Sequence, residues 1–365
     1  MKNNYFITGG TGFVGKNILK AILLKDNHSK ISLLVRACNG LSATKRTEKM
    51  LKRMFNSEDY TKIAERLEVY DGNIVENNFG LSNHDYEKLT QSINVIFHSA
   101  ATIKFNLPLD EAYQINVTGT ENMLNFASQC HHNCVLERYN HISTAYVVGR
   151  QKNLRNVIPN TNFVNTYELT KNLAEKLVQQ YIQEGLPVTI YRPSIISGDS
   201  ITGEMPTNSI VYIFLLLLSR DCLQQLPSDT DTSLNIVPID YFISIMFKIS
   251  ELTETIGKVY NITAEKNTPF QAMMEYACQI LNLQQPEFIP IHQSHKISQK
   301  ILDQIEAFIP YFEESHHFDL TATHDVLNCS YFESEDCKTL VFRMIKYCLD
   351  NRLLPQRKTC EEFVN

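Results

Sequence analysis

Short apolar runs and amphipathic stretches alternate along the first 150 residues of the chain. Five of the apolar runs have the length and composition of buried strands, at 4–8, 30–37, 66–74, 93–102 and within 135–149. Helical periodicity lies between them, most clearly in "INVTGTENMLNFASQC" at 115–130. This alternation predicts βαβ units, and hence an α/β fold with a doubly wound parallel sheet covered by helices on both faces.

The pattern beyond about residue 200 is harder to assign. Residues 235–249 predict a short strand and then a helix capped by Asp240, and residues 258–264 predict another strand. The most apolar run, "SIVYIFLLLLS" at 209–219, is too short to span a bilayer, so we expect a buried or substrate-facing helix. The last hundred residues or so look mixed and mostly helical.

The composition narrows the class of protein. A net charge of −6 gives no sign of a nucleic-acid partner, and the chain enters a strand at once, without a cleavable leader. Nine cysteines without regular spacing indicate reduced thiols, and with no transmembrane segment they predict a cytoplasmic protein. "CHHNC" at 130–134 has no second half at zinc spacing, and the histidines of "HHFDLTATHD" at 316–325 are more simply loop residues. We therefore predict no metal site.

Glycines cluster immediately after the first strand. Gly9, Gly10, Gly12 and Gly15 fall within seven residues, although the whole chain has only 13 glycines. The spacing Gly9-x-x-Gly12-x-x-Gly15, between a strand and an amphipathic helix, is typical of a dinucleotide-binding turn. Glycine permits the tight turn, and the helix N-terminus offers unpaired N–H groups to a pyrophosphate.

The second strand ends in a basic residue. Where an NAD enzyme carries an acid for the adenosine ribose, this chain has Arg36, whose guanidinium can grip a 2′-phosphate with paired hydrogen bonds. Arg46, within the basic run 45–53, is a second candidate for the same role. The predicted cofactor is therefore NADP(H).

A hydroxyl, a phenol and an ammonium converge on the same predicted sheet edge. Ser143 and Thr144 end the fifth strand, and Tyr167 and Lys171 stand four apart at the start of the next helix. Lys171 is expected to lower the pKa of Tyr167 from about 10, so that the phenol supplies a proton to an oxygen while a hydride reaches carbon. The hydroxyl would hold that oxygen in place.

Several motifs together resemble one enzyme family. The motifs are "TGGTGFVG", "HSAA", "NVTGT", "ISTAYVVG", "YELTK" and "YRPSIISG". They resemble the extended short-chain dehydrogenase/reductases over residues 4–265 or so, and "LLVRA", "NTYELTKNLAEKLV" and "YRPSIISGDSITG" are most similar to the thioester-reductase and fatty acyl-CoA reductase branch, with its male-sterility-type NAD-binding domain. The resemblance implies an NADP-binding Rossmann domain at 1–200, to which elements around 230–265 return, and a smaller, mostly helical substrate region at 201–365.

The resemblance also implies roles for individual residues. Thr144, which stands five residues before Gly149, would be the hydroxyl donor, Tyr167 the acid and Lys171 its partner and a ribose contact. The usual Gly-Asp at the adenine contact is replaced by Gly72-Asn73, an amide that can still hydrogen-bond. The implied cofactor contacts are Gly9, Thr11, Gly12, Phe13, Val14, Gly15, Arg36, Arg46, Asn73, Ile74, Ser99, Ala100, Ala101, Tyr167, Lys171, Pro193, Ser194 and Ile195.

The function implied by the resemblance is NADPH-dependent reduction of an acyl thioester, either an acyl-CoA or an acyl chain on a carrier protein. The product would be an aldehyde and, after a second hydride, an alcohol. Three alternatives stay open at this point: a ketone or aldehyde reductase, a nucleotide-sugar epimerase or dehydratase, and a non-catalytic NADP-binding regulator. Arg36 counts against the epimerases, which usually prefer NAD, and the intact Thr144, Tyr167 and Lys171 count against the regulator.

Overall fold

A computed structural model describes residues 3–149, 161–228, 232–329 and 336–355 of the chain. These residues form two compact units. The first unit contains 3–149, 161–193 and 245–261, and the second contains 194–228, 232–244, 262–329 and 336–355. The first unit carries the predicted dinucleotide and catalytic motifs, except for the part of "YRPSIISG" that follows Pro193.

A seven-stranded sheet forms the centre of the first unit. The strands of the described residues are β1 (Asn4–Thr8), β2 (Lys30–Val35), β3 (Leu67–Asp71), β4 (Val95–His98), β5 (Arg138–Ile142), β6 (Val188–Pro193), β7 (Ile195–Ser197), β8 (Gln225–Pro227), β9 (Ser233–Leu234), β10 (Ile236–Pro238), β11 (Val259–Ile262), β12 (Thr268–Pro269) and β13 (Glu287–Ile289). The sheet has the order β11-β6-β5-β4-β1-β2-β3, with parallel pairing from β6 through β3. The chain reverses direction of winding between β1 and β4, which is where ligands of open α/β sheets bind.

Helices connect these strands. The α-helices of the described residues are α1 (Phe13–Lys25), α2 (Ala43–Met54), α3 (Ser57–Ala64), α4 (Asn83–Thr90), α5 (Leu109–Tyr113), α6 (Gly119–His132), α7 (Thr166–Gln183), α8 (Ile210–Ser219), α9 (Ile239–Ser250), α10 (Phe270–Leu281), α11 (Gln299–Ile305), α12 (Thr321–Leu327) and α13 (Cys337–Asp350). Short 3₁₀ turns occupy Asn77–Gly80, Ala145–Val148, Thr253–Thr255, Ile291–Lys296 and Glu306–Phe312, and a π-helical turn occupies Gln114–Thr118. Side-chain oxygens cap several starts: Ser42 for α2, Ser82 for α4 and Asn165 for α7. None of the described helices is long and apolar enough to cross a membrane.

Aromatic side chains hold one face of the sheet against the helices. Phe6 on β1 packs against Phe126 on α6 with ring centroids 4.9 Å apart, and Phe79 packs edge-on against Phe126 at 5.5 Å. All three rings are fully buried. Each ring removes a large apolar area from water, so this cluster fixes the position of α6 on the sheet.

The second unit has a separate aromatic core. Phe214 on α8, Phe270 on α10 and Phe312 are fully buried, and the rings of Phe270 and Phe312 stack with centroids 4.2 Å apart. Phe214 meets both rings edge-on, at 5.4 and 5.3 Å. The paired short strands β7–β10, β8–β13 and β9–β12 also belong to this unit.

The predicted α/β class and parallel sheet are confirmed, and most predicted strands extend one to three residues too far. The prediction that Asp240 caps a helix is wrong. Asp240 lies inside the first turn of α9, where its carboxylate accepts hydrogen bonds from the amide and hydroxyl of Ser200, at 2.7 and 2.6 Å. The Asp240 carboxylate therefore bonds to Ser200, forty residues away in the chain, instead of capping the start of α9 as the local pattern predicted.

Candidate active site

The turn between β1 and α1 runs close to the end of β4. Gly9 has a φ of +71°, and a Cβ there would lie 2.7 Å from the amide nitrogen of Ala100. A Cβ on Gly15 would lie 2.2 Å from the carbonyl oxygen of Gly9. Gly12 caps α1 without a side chain, so the first amides of the helix, including those of Phe13 and Val14, have no side-chain acceptor. This turn can take a pyrophosphate against exposed N–H groups.

Two arginines lie at the end of β2 beside this turn. Arg46, on the first turn of α2, donates to the hydroxyl of Thr11 over 3.0 Å and also donates to the carbonyl oxygen of Arg36. Arg36 directly follows β2 and its side chain is exposed. The sequence pattern ranked Arg46 as the weaker candidate, yet the fold brings Arg46 into contact with the glycine-rich turn.

Small residues follow β4. The hydroxyl of Ser99 donates to the carbonyl of Thr8 over 2.9 Å, and the amide of Ala100 donates to the Thr8 hydroxyl over 3.3 Å. These bonds tie the end of β4 to the end of β1, directly beside Gly9. Ala101 is exposed and adds no bulk above that edge. Ser99, Ala100 and Ala101 are therefore small residues at the sheet edge where a cofactor was predicted to lie.

The turn after β3 contains the predicted adenine contact. The amide of Asn73 donates to the carbonyl of Phe79 over 2.9 Å, and Asn122 on α6 donates to the carbonyl of Ile74 over 2.8 Å. Ile74 is buried. The turn is thus held in place by backbone groups and by Asn122, and the contact of Asn73 with adenine stays a prediction.

Thr144, Tyr167 and Lys171 lie together beyond the end of β5. Thr144 follows β5 by two residues and donates to the carbonyl of Pro193 over 3.4 Å, and its side chain shares a hydrogen bond with Tyr167. Asn165 caps α7, so Tyr167 and Lys171 fall in the first two turns of that helix. The buried Lys171 ammonium donates to the carbonyl of Ile142 over 2.8 Å. The hydroxyl, phenol and ammonium predicted from sequence are therefore neighbours.

Burial is the main cause of the pKa shifts of Tyr167 and Lys171. It raises the pKa of Tyr167 to about 12, and the hydrogen bond with Thr144 only partly offsets this. Burial lowers the pKa of Lys171 to about 8, which the negative charge of Glu175 partly opposes. The expectation that Lys171 lowers the pKa of Tyr167 is therefore wrong for this structure, in which desolvation of the phenolate raises that pKa. Tyr167 is instead a fully protonated donor at neutral pH.

The structure separates the two hydroxyls at the end of β5. Ser143 is buried and donates to a carboxylate oxygen of Glu175 over 2.5 Å. Thr144 shares its hydrogen bond with Tyr167. This division of partners supports Thr144 as the residue that faces a substrate oxygen.

The three predicted nicotinamide contacts are consecutive in the chain and are divided between the two units. Pro193 ends β6 in the first unit, where its carbonyl accepts the Thr144 hydroxyl. Ser194 and Ile195 begin the second unit. The Ser194 hydroxyl is buried, and no hydrogen-bond partner for it lies among the described residues. Contact of these three residues with a nicotinamide stays a prediction.

Sequence reasoning missed the groups that hold the loop after β4. Asn116, in the π-helical turn, accepts from the amide of Thr102 over 2.8 Å and donates to its carbonyl and to the hydroxyl of Thr170. Thr166 donates to the carbonyl of Leu107 over 2.9 Å. The loop so held places the ring of Phe105 against that of Tyr167, with centroids 5.5 Å apart. A buried asparagine in "NVTGT" was the available signal, since such a side chain requires partners.

The histidines and cysteines considered as metal ligands in the sequence have other surroundings in the described residues. No group of three or more histidine, cysteine, aspartate or glutamate side chains within the described ranges could hold a metal ion. His324 pairs with Glu265, with the two side-chain atoms 2.7 Å apart. The eight cysteines that fall inside those ranges are all free thiols.

A family model described as male sterility protein matches residues 7–246. The chain belongs to this family. Its match includes the glycine-rich turn, both arginines and the Thr144, Tyr167 and Lys171 cluster. Since these features occupy the first unit, that unit is a nicotinamide-dinucleotide-binding domain of the male sterility type.

Several of the named proteins that are similar to this family member are reductases. "Fatty acyl-CoA reductase wat" of Drosophila melanogaster is 27% identical over 323 residues, covering 75% of this chain and 61% of that protein. "Fatty acyl-CoA reductase 1" of Gallus gallus is 28% identical over 308 residues, covering 73% of this chain and 59% of that protein. The chain thus spans about three-fifths of the length of these two relatives. The crystal structure of the terminal R domain from the myxalamid PKS-NRPS biosynthetic pathway is 25% identical, with a TM-score of 0.81, and covers 98% of this chain and 93% of that one.

Proposed function

We propose that this male sterility family member is an NADPH-dependent reductase of acyl thioesters, an acyl-CoA or an acyl chain held on a carrier protein. The observation that carries the proposal is that Thr144, Tyr167 and the buried Lys171, whose ammonium donates to the carbonyl of Ile142, lie together in the unit that holds the glycine-rich turn. The names of the similar fatty acyl-CoA reductases support a thioester as substrate, because an acyl-CoA is a thioester.

The residues of the site supply positions for one oxygen and one proton. Tyr167 and Thr144 would donate hydrogen bonds to the thioester carbonyl oxygen, where negative charge develops as the carbon is reduced. Bound NADPH supplies the hydride. Because burial raises the pKa of Tyr167 to about 12, the phenol remains a donor throughout the neutral range. Lys171 would stay close to Tyr167 and bond the cofactor ribose with its remaining N–H groups.

Reduction of the thioester would proceed by addition of a hydride and loss of the thiolate. The carbonyl carbon gains a hydride, the oxygen holds the displaced electron pair against Tyr167 and Thr144, and collapse of this intermediate expels the thiolate. The thiolate takes a proton, so the products are an aldehyde, a thiol and NADP⁺. A second hydride to the aldehyde, with a proton from Tyr167, would give the alcohol.

Arg36 and Arg46 carry the proposed preference for NADPH. A 2′-phosphate adjacent to the end of β2 would meet two guanidinium groups, one of them already fixed against Thr11. No side chain in the turn that follows β2 offers an acid to a ribose 2′-hydroxyl, since that turn reads Arg36-Ala37-Cys38. Asp71 at the end of β3 accepts the amide of Ala37 over 3.1 Å.

The test is NADPH oxidation against a panel of acyl-CoAs, acyl-carrier thioesters, free aldehydes and ketones, with products identified by mass. We expect thioesters to be consumed with release of the free thiol. Oxidation of NADPH with ketones or aldehydes but with no thioester would replace the proposal with the small-carbonyl reductase alternative. No oxidation with any member of the panel would refute it.

A further inference from the structure

A buried carboxylate lies one helical turn beyond Lys171. Glu175 is four residues after Lys171 on α7, and its side chain is only 3% exposed. Three residues bind it: Arg192 on β6 donates to both oxygens, Ser143 donates over 2.5 Å, and Gln179 donates over 3.2 Å. These donors satisfy both oxygens of a carboxylate that lies far from water.

The bonds of Glu175 reach the segment that positions the catalytic groups. Ser143 directly precedes Thr144, and Ile142, whose carbonyl accepts the Lys171 ammonium, directly precedes Ser143. Glu175 therefore joins α7 to the three-residue segment that supplies both the hydroxyl and the acceptor of Lys171. Arg192 joins the same carboxylate to β6, the next strand of the sheet.

We infer that Glu175, paired with Arg192, is a positioning residue that holds Thr144 and Lys171 in place and keeps Lys171 in its ammonium form. This inference rests on the proposed role of Lys171 in the reductase. Glu175 does not touch the reacting atoms, so it would act only through Ser143 and Lys171.

The groups around Lys171 determine in which direction a substitution of Glu175 or Arg192 should move the pKa of Lys171. His98 on β4 and His141 on β5 face it, and burial keeps both neutral by lowering the pKa of His98 to about 3 and that of His141 well below its usual range. Tyr167 on the same helix is neutral as well. Glu168, on the first turn of α7, acts on the pKa of Tyr167, which it raises.

Burial lowers the pKa of Lys171, and the negative charge of Glu175 opposes this. Arg192 forms an ion pair with Glu175, and its positive charge weakens the effect of Glu175 on Lys171. Without the Glu175 charge, the pKa of Lys171 falls further below about 8. Without the Arg192 charge, Ser143 and Gln179 still hold the Glu175 carboxylate, whose negative charge then acts on Lys171 without a paired cation and raises its pKa. The two substitutions should therefore move the Lys171 titration in opposite directions.

The experiment measures that titration directly and through turnover. The protein is labelled with [¹³Cε]lysine, the Lys171 signal is assigned with Lys171→Arg, and its pH titration is followed in Glu175→Gln and Arg192→Gln. We expect the midpoint to fall by about one pH unit in Glu175→Gln and to rise in Arg192→Gln, with the alkaline limb of kcat/KM moving the same way. Glu184→Gln, which removes an exposed carboxylate from the end of the same helix, should leave the midpoint unchanged.

Each outcome separates a positioning role from a merely structural one. Unmoved midpoints in both variants, or a loss of kcat/KM equal at every pH, would overturn the inference. Should Glu175→Gln not fold, Arg192→Gln and the charge-conserving Glu175→Asp decide: Glu175→Asp should retain the wild-type midpoint while losing turnover through the shortened reach to Ser143. Shifted midpoints in a protein that reduces no thioester would refute the proposed function and leave the coupling of Glu175 to Lys171 intact.

Discussion

Arg46 and Thr11 are joined by a hydrogen bond of 3.0 Å, which ties the first turn of α2 to the glycine-rich turn after β1. The two residues are 35 positions apart in the chain, and neither is an obvious partner of the other by local pattern. Because the guanidinium is already fixed at the edge of the glycine-rich turn, little side-chain entropy would remain to be lost if a phosphate bound there.

Cofactor preference should depend on both arginines. We expect NADPH to bind at least about tenfold, and up to about a hundredfold, more tightly than NADH, since a charge-assisted contact contributes about 1.5–3 kcal/mol. Arg36→Ala and Arg46→Ala should each weaken NADPH while leaving NADH almost unchanged. Calorimetric titration of both cofactors measures this, and Arg53→Ala, an exposed arginine on the last turn of α2, is the control. Equal affinities for the two cofactors in the wild type would contradict the NADP assignment.

Turnover should depend on the Tyr167 hydroxyl more than cofactor affinity does. Tyr167→Phe keeps the ring that packs on Phe105 but removes the donor, so turnover should fall at least about a hundredfold with little change in NADPH affinity. The loss should be smaller for a thioester than for an aldehyde, because a thiolate leaves readily. Stopped-flow reduction of each substrate measures the two losses separately, and full activity of Tyr167→Phe on both would rule out Tyr167 as the proton donor.

Lys171→Ala should act differently from Tyr167→Phe. The ammonium is proposed to bond the ribose as well as to assist Tyr167, so its removal should weaken NADPH binding together with turnover. Fluorescence titration of NADPH in the two variants makes the comparison. An undiminished NADPH affinity in Lys171→Ala would show that the ammonium does not contact the cofactor.

Burial of Lys171 should give the stability of the protein a characteristic pH dependence. Its pKa is about 8 in the folded state and 10.5 as a free group, so the cost of burying the ammonium is fully present below pH 8. Between pH 8 and 10.5 the folded state loses the proton first, and stability recovers. The free energy of unfolding of Lys171→Met minus that of wild type should therefore decrease by roughly 1–3 kcal/mol from pH 7 to pH 10. Urea unfolding at several pH values measures it, and a constant difference would contradict the lowered pKa.

Two leucines of α8 should respond differently to enlargement. Leu217 is 2% exposed and lies in the core of the second unit, so Leu217→Phe should destabilise the protein by about 1–3 kcal/mol through overpacking. Leu216 is only partly buried, and Leu216→Phe should shift the preferred acyl chain length if α8 lines a substrate channel. Thermal unfolding and rates across a series of acyl-CoA chain lengths separate the two effects. Loss of stability at Leu216 with unchanged preference would favour a core helix alone.

The sequence by itself determined the elements and their chemistry. Short runs with the composition of buried strands indicated the strands around Phe6 and Ile142, because the length and composition of a run are properties of neighbouring residues. The glycine spacing from Gly9 to Gly15 and the four-residue step from Tyr167 to Lys171 were likewise visible, since each lies within about two helical turns. Motifs of this kind can be recognised from the spacing of nearby residues alone.

Only the tertiary structure decided which side chains meet. Ser143 and Thr144 are adjacent hydroxyls, and they take different partners in the structure: Ser143 donates to Glu175 and Thr144 donates to the carbonyl of Pro193. The Glu175–Arg192 pair and the Arg46–Thr11 bond depend on which helix covers which strand. The pKa of Tyr167 depends on desolvation, which is set by everything packed around it rather than by the one charge four residues away.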